Sequence, residues 1–294
     1  MTVGSCLKSM RLRTLPLSLA GLTAGIHLAT TISYPGVSTT IALVLTTIFL
    51  QILSNLSNEL GDTLHGTDTD KRAGIHYSLQ DGEMTIPQMK VLIAVMVILC
   101  GISGLAMIYF SFGTLISLQS LAFILLGVAA IWAAMHYTLG KNPYGYRAKG
   151  DIFVFIFFGL VSTLGAAYIC AHTISPLWIL PAAAFGCWSV GVLNVNNIRD
   201  MSTDAATRTT VAIKLGERKA RIYHTVLICG GWFLLLVYTV FTAESILSYL
   251  YVMLIPLSFI HLKKIWNKAG KELDPMLPML VMTTFAVSLL FSAV

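Results

Sequence analysis

Charge is what this sequence has least of. Only 11% of its 294 residues are Asp, Glu, Lys or Arg, against about 25% in a soluble domain. A chain so poor in charge cannot cover a water-facing surface, and its 56% hydrophobic content points to a bilayer. Paired cysteines are missing too. Cys6, Cys100, Cys170, Cys187 and Cys229 form no C-x-x-C pair and sit mostly in apolar stretches. That argues against a disulfide framework or a thiolate metal centre and leaves packing as their role.

What is present is a series of long apolar runs. Crossing the roughly 30 Å hydrocarbon core takes about 20 such residues. Nine segments qualify, near 15–33, 39–57, 91–110, 116–138, 152–171, 177–196, 222–242, 246–262 and 277–293. The expected fold is an all-α integral membrane bundle of about nine helices, a single domain over residues 1–294 with no room for a soluble one. Lys8, Arg11 and Arg13 before the first run resemble a leader peptide. No small-residue cleavage site follows, and the run is long enough to span, so it is read as the first helix.

Basic residues are absent from one face altogether. With the N-terminus inside, the inside segments near 1–14, 58–90, 139–151, 197–221 and 263–276 hold all 19 Lys and Arg. The connections near 34–38, 111–115, 172–176 and 243–245 hold none. This asymmetry sets the orientation by the positive-inside rule. The net charge of +6 is then topological rather than a nucleic-acid signal. Of 13 acidic residues only Glu244 falls outside. The rule does not require that, so the acids need another reason.

They gather in two stretches. "NLSNELGDTLHGTDTDKRAG" (Asn55 to Gly74) follows the second run and "NVNNIRDMSTD" (Asn194 to Asp204) the sixth. The two echo each other four spans apart, as an internal repeat would. On a helix Asn58 and Asp62 share a face, with Asn55 a turn earlier; Asn196, Asp200 and Asp204 repeat the spacing. Gly66 stands where the second stretch has Asp204, which predicts a helix break that turns Asp68 back. Clustered carboxylates beside hydrocarbon need neutralising. Oxygen ligands without Cys or His favour Mg2+, which phosphates complete. A diphosphate is the natural cargo, with Arg11, Arg13, Lys71, Arg72, Lys141, Arg199, Arg208 and Lys214 available to meet its charge. The competing reading, a solvated helix cap, suits one such set better than two.

Four stretches carry a family likeness: "RLRTLPLS" (Arg11 to Ser18), "LSNLSNELGDTLHGTD" (Leu53 to Asp68), "GKNPYGYRAKGDIFVFIFFG" (Gly140 to Gly159) and "LNVNNIRDMSTD…TTVAIKLG" (Leu193 to Gly216). Together they resemble the UbiA superfamily of intramembrane prenyltransferases, and within it the branch acting on 1,4-dihydroxy-2-naphthoate in menaquinone biosynthesis. Leu12 replaces a usual proline, Glu59 an aspartate, and Lys214 an arginine. Lysine lacks the planar bidentate fork of arginine.

The resemblance implies a Mg2+-dependent polyprenyltransferase, with two ions, in the bacterial cytoplasmic membrane. Its partners would be a polyprenyl diphosphate, an aromatic acceptor (dihydroxynaphthoate) and the lipid bilayer, without nucleic acid. Expected metal ligands are Asn58, Glu59, Asp62 and Asp68 for one ion and Asn196, Asp200 and Asp204 for the other. Arg72, Lys141, Arg199 and Lys214 would contact diphosphate. Asp62, Asp200, Asp204, Tyr144 and Tyr146 form the expected catalytic set. The two tyrosines either orient the acceptor and shield a carbocation, or serve as interfacial belt residues. Asp151 is read as a helix N-terminal charge, with a supporting role behind the site residues as the alternative, His65 as a loop residue, and Gly21, Gly25, Gly101 and Gly104 as close-packing positions.

Other readings fit less well. A CDP-alcohol phosphotransferase would carry one contiguous acidic run, which this sequence lacks. A cation-coupled transporter would place its polar site near the bilayer midplane, whereas these acids stand at span ends. Another aromatic acceptor, such as 4-hydroxybenzoate, homogentisate or haem, remains open at this stage.

Overall fold

The structure, a computed structural model, describes residues 2–67 and 76–293. Among the described residues the only extended pairing is an isolated bridge between Arg147 and Thr209; the rest is helix and connection. The principal helices are α1 (Val3–Met10), α2 (Leu15–Thr30), α3 (Val37–Leu64), α4 (Ile86–Phe112), α5 (Leu118–His136), α6 (Gly150–Ala171), α7 (Pro176–Arg199), α8 (Glu217–Thr242), α9 (Ile246–Asn267) and α10 (Gly270–Phe291). The eight from α3 to α10 are long and apolar enough to cross a membrane. Each coincides with one of the expected runs. The run expected at 15–33 appears as α2, whose 16 residues rise only about 24 Å.

Local chemistry sets the ends. Thr85 and Gln88 form a reciprocal capping box at the start of α4, with proline in its first turn. Gly113, at φ +69°, closes the same helix in the left-handed region that glycine enters without strain. Past the end of α3, Gly66 has φ +67°, so the break expected there is present. Asp68, Lys71 and Arg72 lie outside the described residues.

The contacts gather in two compact units, interleaved along the chain. The first comprises Met1–Leu15, Gly36–Gly150 and Thr203–Thr210. Within it α3 packs along α4 and α5, burying Leu53, Leu56 and Leu60 against Met89, Ile93 and Met96. Gly61 has no room for a side chain, since a Cβ would lie 2.4 Å from Thr138 Oγ1 and 2.7 Å from that residue's carbonyl carbon. This close approach lets Thr138 donate to the Ser57 carbonyl at 2.9 Å and brings the chain after α5 against the first acidic stretch.

The second unit comprises Pro16–Pro35, Asp151–Ser202 and Val211–Val294. Here α7 is the central helix, packed on α6 and α8. The middle of α6, Phe155–Gly165, is wound as π-helix, a form that recurs near functional sites. Gly159 on it meets the Gly186 backbone of α7. Gly21 and Gly25 of α2 meet the Phe158 and Thr163 carbonyls, as small-residue packing predicts. Gly101 and Gly104 of α4, in the first unit, differ: beyond their own helix turn a Cβ would meet nothing within 4 Å at the one and only Thr46 Cγ2, at 3.9 Å, at the other. Between α8 and α9 runs a polar ladder. Arg221 donates to the Ile265 carbonyl, His224 and His261 share a 2.9 Å N···N contact, and Trp232 donates to Ser258 at 2.9 Å.

The two kinds of glycine should separate on mutation. Gly25→Ala would place a methyl 2.3 Å from the Thr163 carbonyl oxygen and should cost about 1–3 kcal/mol, seen as a lower thermal midpoint in detergent. Gly101→Ala should be neutral or slightly stabilising, because it fills open space and favours helix.

Candidate active site

At the end of the first unit where α3 stops, three segments meet around one guanidinium. α3 contributes Asp62, the chain after α5 contributes Tyr146, and residues 203–210 contribute Asp204 and Arg208. Asp62 and Asp204 are 3% and 1% exposed. Arg208 pairs with the Asp204 carboxylate four residues earlier, and its other nitrogen stands 3.7 Å from Asp62 Oδ1. Tyr146 donates its phenolic O–H to the same Asp62 oxygen at 2.8 Å. Thr67 Oγ lies 2.9 Å from that phenol, and the His65 ring meets the Tyr146 ring edge-on at 5.0 Å.

Backbone contacts hold these groups in register. The Thr67 N–H donates to the Asp62 carbonyl at 2.9 Å across the Gly66 turn. Thr209 exchanges hydrogen bonds with the 146–148 segment, its N–H to Tyr146 and its carbonyl from Ala148. The bridge between Arg147 and Thr209 thereby places Tyr146 and Arg208 on the same side of Asp62.

Electrostatics follow from burial. Desolvation alone would lower the Arg208 pKa, but the Asp62 and Asp204 charges outweigh it and hold it above the ordinary value. Burial, then the Asp62 charge, pushes the Tyr146 phenol upward, so it stays protonated and donating at neutral pH. Tyr144 is also shifted upward by burial and by Tyr137. Its phenol, however, donates to the Ala133 carbonyl at 2.7 Å, and its ring packs on Trp132 and Tyr137. Of the two tyrosines, the structure brings Tyr146 to the carboxylates and ties Tyr144 to the end of α5.

The rest of the first stretch is distributed by task. Glu59, fully buried, accepts the Leu79 N–H at 2.9 Å. Asn55 donates to the Met10 carbonyl and to Thr14 Oγ, both at 2.9 Å. Asn58 is half-buried, its Oδ1 3.4 Å from Thr138 Oγ1.

The second stretch does not continue as one helix. α7 ends at Arg199, Asp200 caps it with φ −96° and ψ 9°, and Met201–Asp204 forms a separate turn. Within the second unit, Arg199 grips Asp200 through two nitrogens, at 2.8 and 2.6 Å. It also reaches Asn196 Oδ1 at 2.7 Å and Asp274 at 2.8 Å. Asp151 at the head of α6 accepts from the Tyr223 phenol at 3.1 Å. Lys141 and Lys214 are exposed.

Arg208 was one of eight basic candidates in the sequence, and its i,i+4 spacing from Asp204 was the usable signal. Asp274 and Thr138 offered none, because their partners are 75 and 81 residues away. The donor set at Asp62 and Asp204 is carboxylate oxygen with phenol and hydroxyl beside it, the chemistry a hard cation prefers. Among the described residues no three His, Cys, Asp or Glu side chains converge as a ready-made metal cage.

Among the described residues, eight helices of bilayer length with buried acids near helix ends define an integral membrane protein whose charged groups beside lipid mark a functional site. The particular family follows from comparison. The model of the UbiA prenyltransferase family matches residues 18–288, and the chain belongs to that family. It is 38% identical over 280 residues to a 1,4-dihydroxy-2-naphthoate octaprenyltransferase of Escherichia coli (strain K12), covering 94% of this chain and 89% of that protein. The Haemophilus influenzae (strain ATCC 51907 / DSM 11121 / KW20 / Rd) protein of the same name is 38% identical over 290 residues, covering 97% and 93%. Among solved structures, the apo UbiA homolog from Aeropyrum pernix K1 superposes with TM-score 0.69 at 15% identity, over 97% of this chain and 96% of that one. A UbiA homolog from Archaeoglobus fulgidus bound to GPP and Mg2+ gives 0.66 at 15%, over 99% and 100%. At that identity the likeness is one of fold.

Arg208→Ala should destabilise the protein by roughly 3 kcal/mol, because it removes the cation between two buried carboxylates. Arg208→Lys should recover part of that, keeping the charge without the fork. Thermal midpoints of the two variants in detergent check the order.

Proposed function

We propose that this protein transfers a polyprenyl group from a polyprenyl diphosphate to 1,4-dihydroxy-2-naphthoate, with loss of carbon dioxide, giving demethylmenaquinol. The observation that carries this reading is the 38% identity to two naphthoate prenyltransferases over more than nine-tenths of the chain. The cluster of Asp62, Asp204, Arg208 and Tyr146 supports it with chemistry suited to a charged leaving group.

In balance, the allylic C–O bond breaks and its electron pair leaves with diphosphate. The ring carbon bearing the carboxylate forms the new C–C bond. Carbon dioxide departs, and the electron pair of its bond returns to the ring. No oxidant or reductant is needed.

Mg2+, two ions in this reading, would neutralise the diphosphate and make it a competent leaving group. Its ligands would come from Asn58, Glu59, Asp62 and Asp68 of the first stretch and Asn196, Asp200 and Asp204 of the second. The chain's own contribution is electrostatic and positional. Arg208 and Arg199 fix the carboxylates to which they are paired, as donors prepared in advance do. The exposed Lys141 and Lys214, with Arg72, would meet diphosphate charge as it enters. Tyr146, neutral and pinned to Asp62, presents its ring face to a developing cation without offering a nucleophilic phenolate. Hydrocarbon surroundings exclude the water that would quench an allylic cation. The basic inside segments put the N-terminus and these loops on the cytoplasmic side of a bacterial inner membrane.

Asp62→Ala and Asp200→Ala should each lower product formation at least a hundred-fold in an assay with Mg2+, polyprenyl diphosphate and dihydroxynaphthoate. Full turnover by both variants removes these residues from the site. Equal or faster turnover of 4-hydroxybenzoate by the unmodified protein overturns the acceptor assignment.

A further inference from the structure

The end of α7 sets one guanidinium on two of the groups proposed as metal ligands. Arg199 Nε donates to Asp200 Oδ1 at 2.8 Å. Its Nη2 donates both to Asp200 Oδ2 at 2.6 Å and to Asn196 Oδ1 at 2.7 Å. The other terminal nitrogen, Nη1, donates to Asp274 Oδ1 at 2.8 Å. The guanidinium thus holds two carboxylates through different edges. Their surroundings differ, for the Asp200 side chain is fully buried and that of Asp274 is 30% exposed.

Asp274 is a fixed post. It stands near the start of α10, 75 residues from Arg199, in a turn that Gly270 opens at φ +51°. Leu273 before it and Met276 after it are buried in the same core cluster as Ile198, the neighbour of Arg199. Its own N–H donates to the Lys271 carbonyl at 3.1 Å. Apolar packing therefore joins the end of α7 to the start of α10. A short side chain on so constrained a backbone loses little freedom in reaching Arg199.

A divalent ion and this guanidinium contend for the same oxygens. Both Asp200 carboxylate oxygens and the Asn196 amide oxygen accept N–H bonds from Arg199. A metal there would stand a few ångströms from a positive charge, and like charges at that distance repel. Arginine cannot relieve the repulsion by losing its proton. It can only lean toward another anion. Asp274 is such an anion, and it already holds one of the nitrogens.

We propose that Asp274 is a positioning residue for the metal site: by drawing Arg199 away from Asp200 and Asn196, it sets the affinity of those oxygens for a divalent cation. The inference rests on the proposed reading of Asn196 and Asp200 as metal ligands. Asp274 acts through Arg199 and is not itself a ligand.

The test titrates Mg2+ alone into detergent-solubilised full-length protein by calorimetry. Asp200→Asn defines the relevant site as the binding it removes. Asp274→Asn, which keeps the shape and removes the charge, should weaken that binding about five-fold, and Asp274→Glu should restore most of it. Arg199→Gln should tighten it roughly five-fold. Asp274→Asn added to Arg199→Gln should then change nothing further, because the two residues act as a unit. Mg2+ affinity unaltered by Asp274→Asn, whatever happens to the thermal midpoint, overturns the proposal and leaves the ligand assignment standing. An equal loss with and without Arg199 also overturns it, and makes Asp274 a charge acting on the ion directly. Mg2+ binding that is absent from the unmodified protein, or untouched by Asp200→Asn, sinks the ligand assignment and the proposal with it.

Discussion

The first unit depends on an arginine shared between two carboxylates that water hardly reaches. Taking a carboxylate out of water costs several kcal/mol even after relaxation, and Asp62 and Asp204 are both nearly fully buried. Arg208 repays that cost only from one place, so it fixes residues 203–210 against the end of α3. Tyr146 completes the constraint with a neutral phenol on the same Asp62 oxygen. The result is a polar node whose parts cannot move independently.

The second unit solves a like problem with a different geometry. Arg199 grips the residue next to it, Asp200, and extends to Asn196 and to Asp274 far along the chain. Both nodes use arginine, whose rigid fork can satisfy two or three oxygens at once. Lysine appears instead at exposed positions such as Lys141 and Lys214, where a hydrated point charge loses little. Close helix contacts at Gly61 and Gly159 keep the scaffolds behind the nodes rigid, which a site built from charged groups requires.

Much of this was legible beforehand, and unevenly. The eight helices from α3 to α10 coincide with apolar runs because burial in lipid is a property of each segment's own composition. The turn at Gly66 was readable because only a residue without Cβ enters that conformation freely. The even columns of oxygen ligands were less well anticipated. Asn55 and Glu59 brace neighbouring segments, and Asp200 ends its helix rather than continuing it. Helical periodicity says which side chains share a face, but not which hydrogen bonds that face will find.

The sequence by itself determined that the chain lives in a membrane, which connections carry the positive charge, and which family its motifs belong to. These are sums over local composition or matches of short patterns, and they need no knowledge of distant partners. Only the tertiary structure decided that Arg208 serves Asp62 as well as Asp204 and that Tyr146 rather than Tyr144 joins them. Those pairings join residues far apart in the chain. Their energies depend on angstrom distances and on the water excluded between them, which no local pattern encodes.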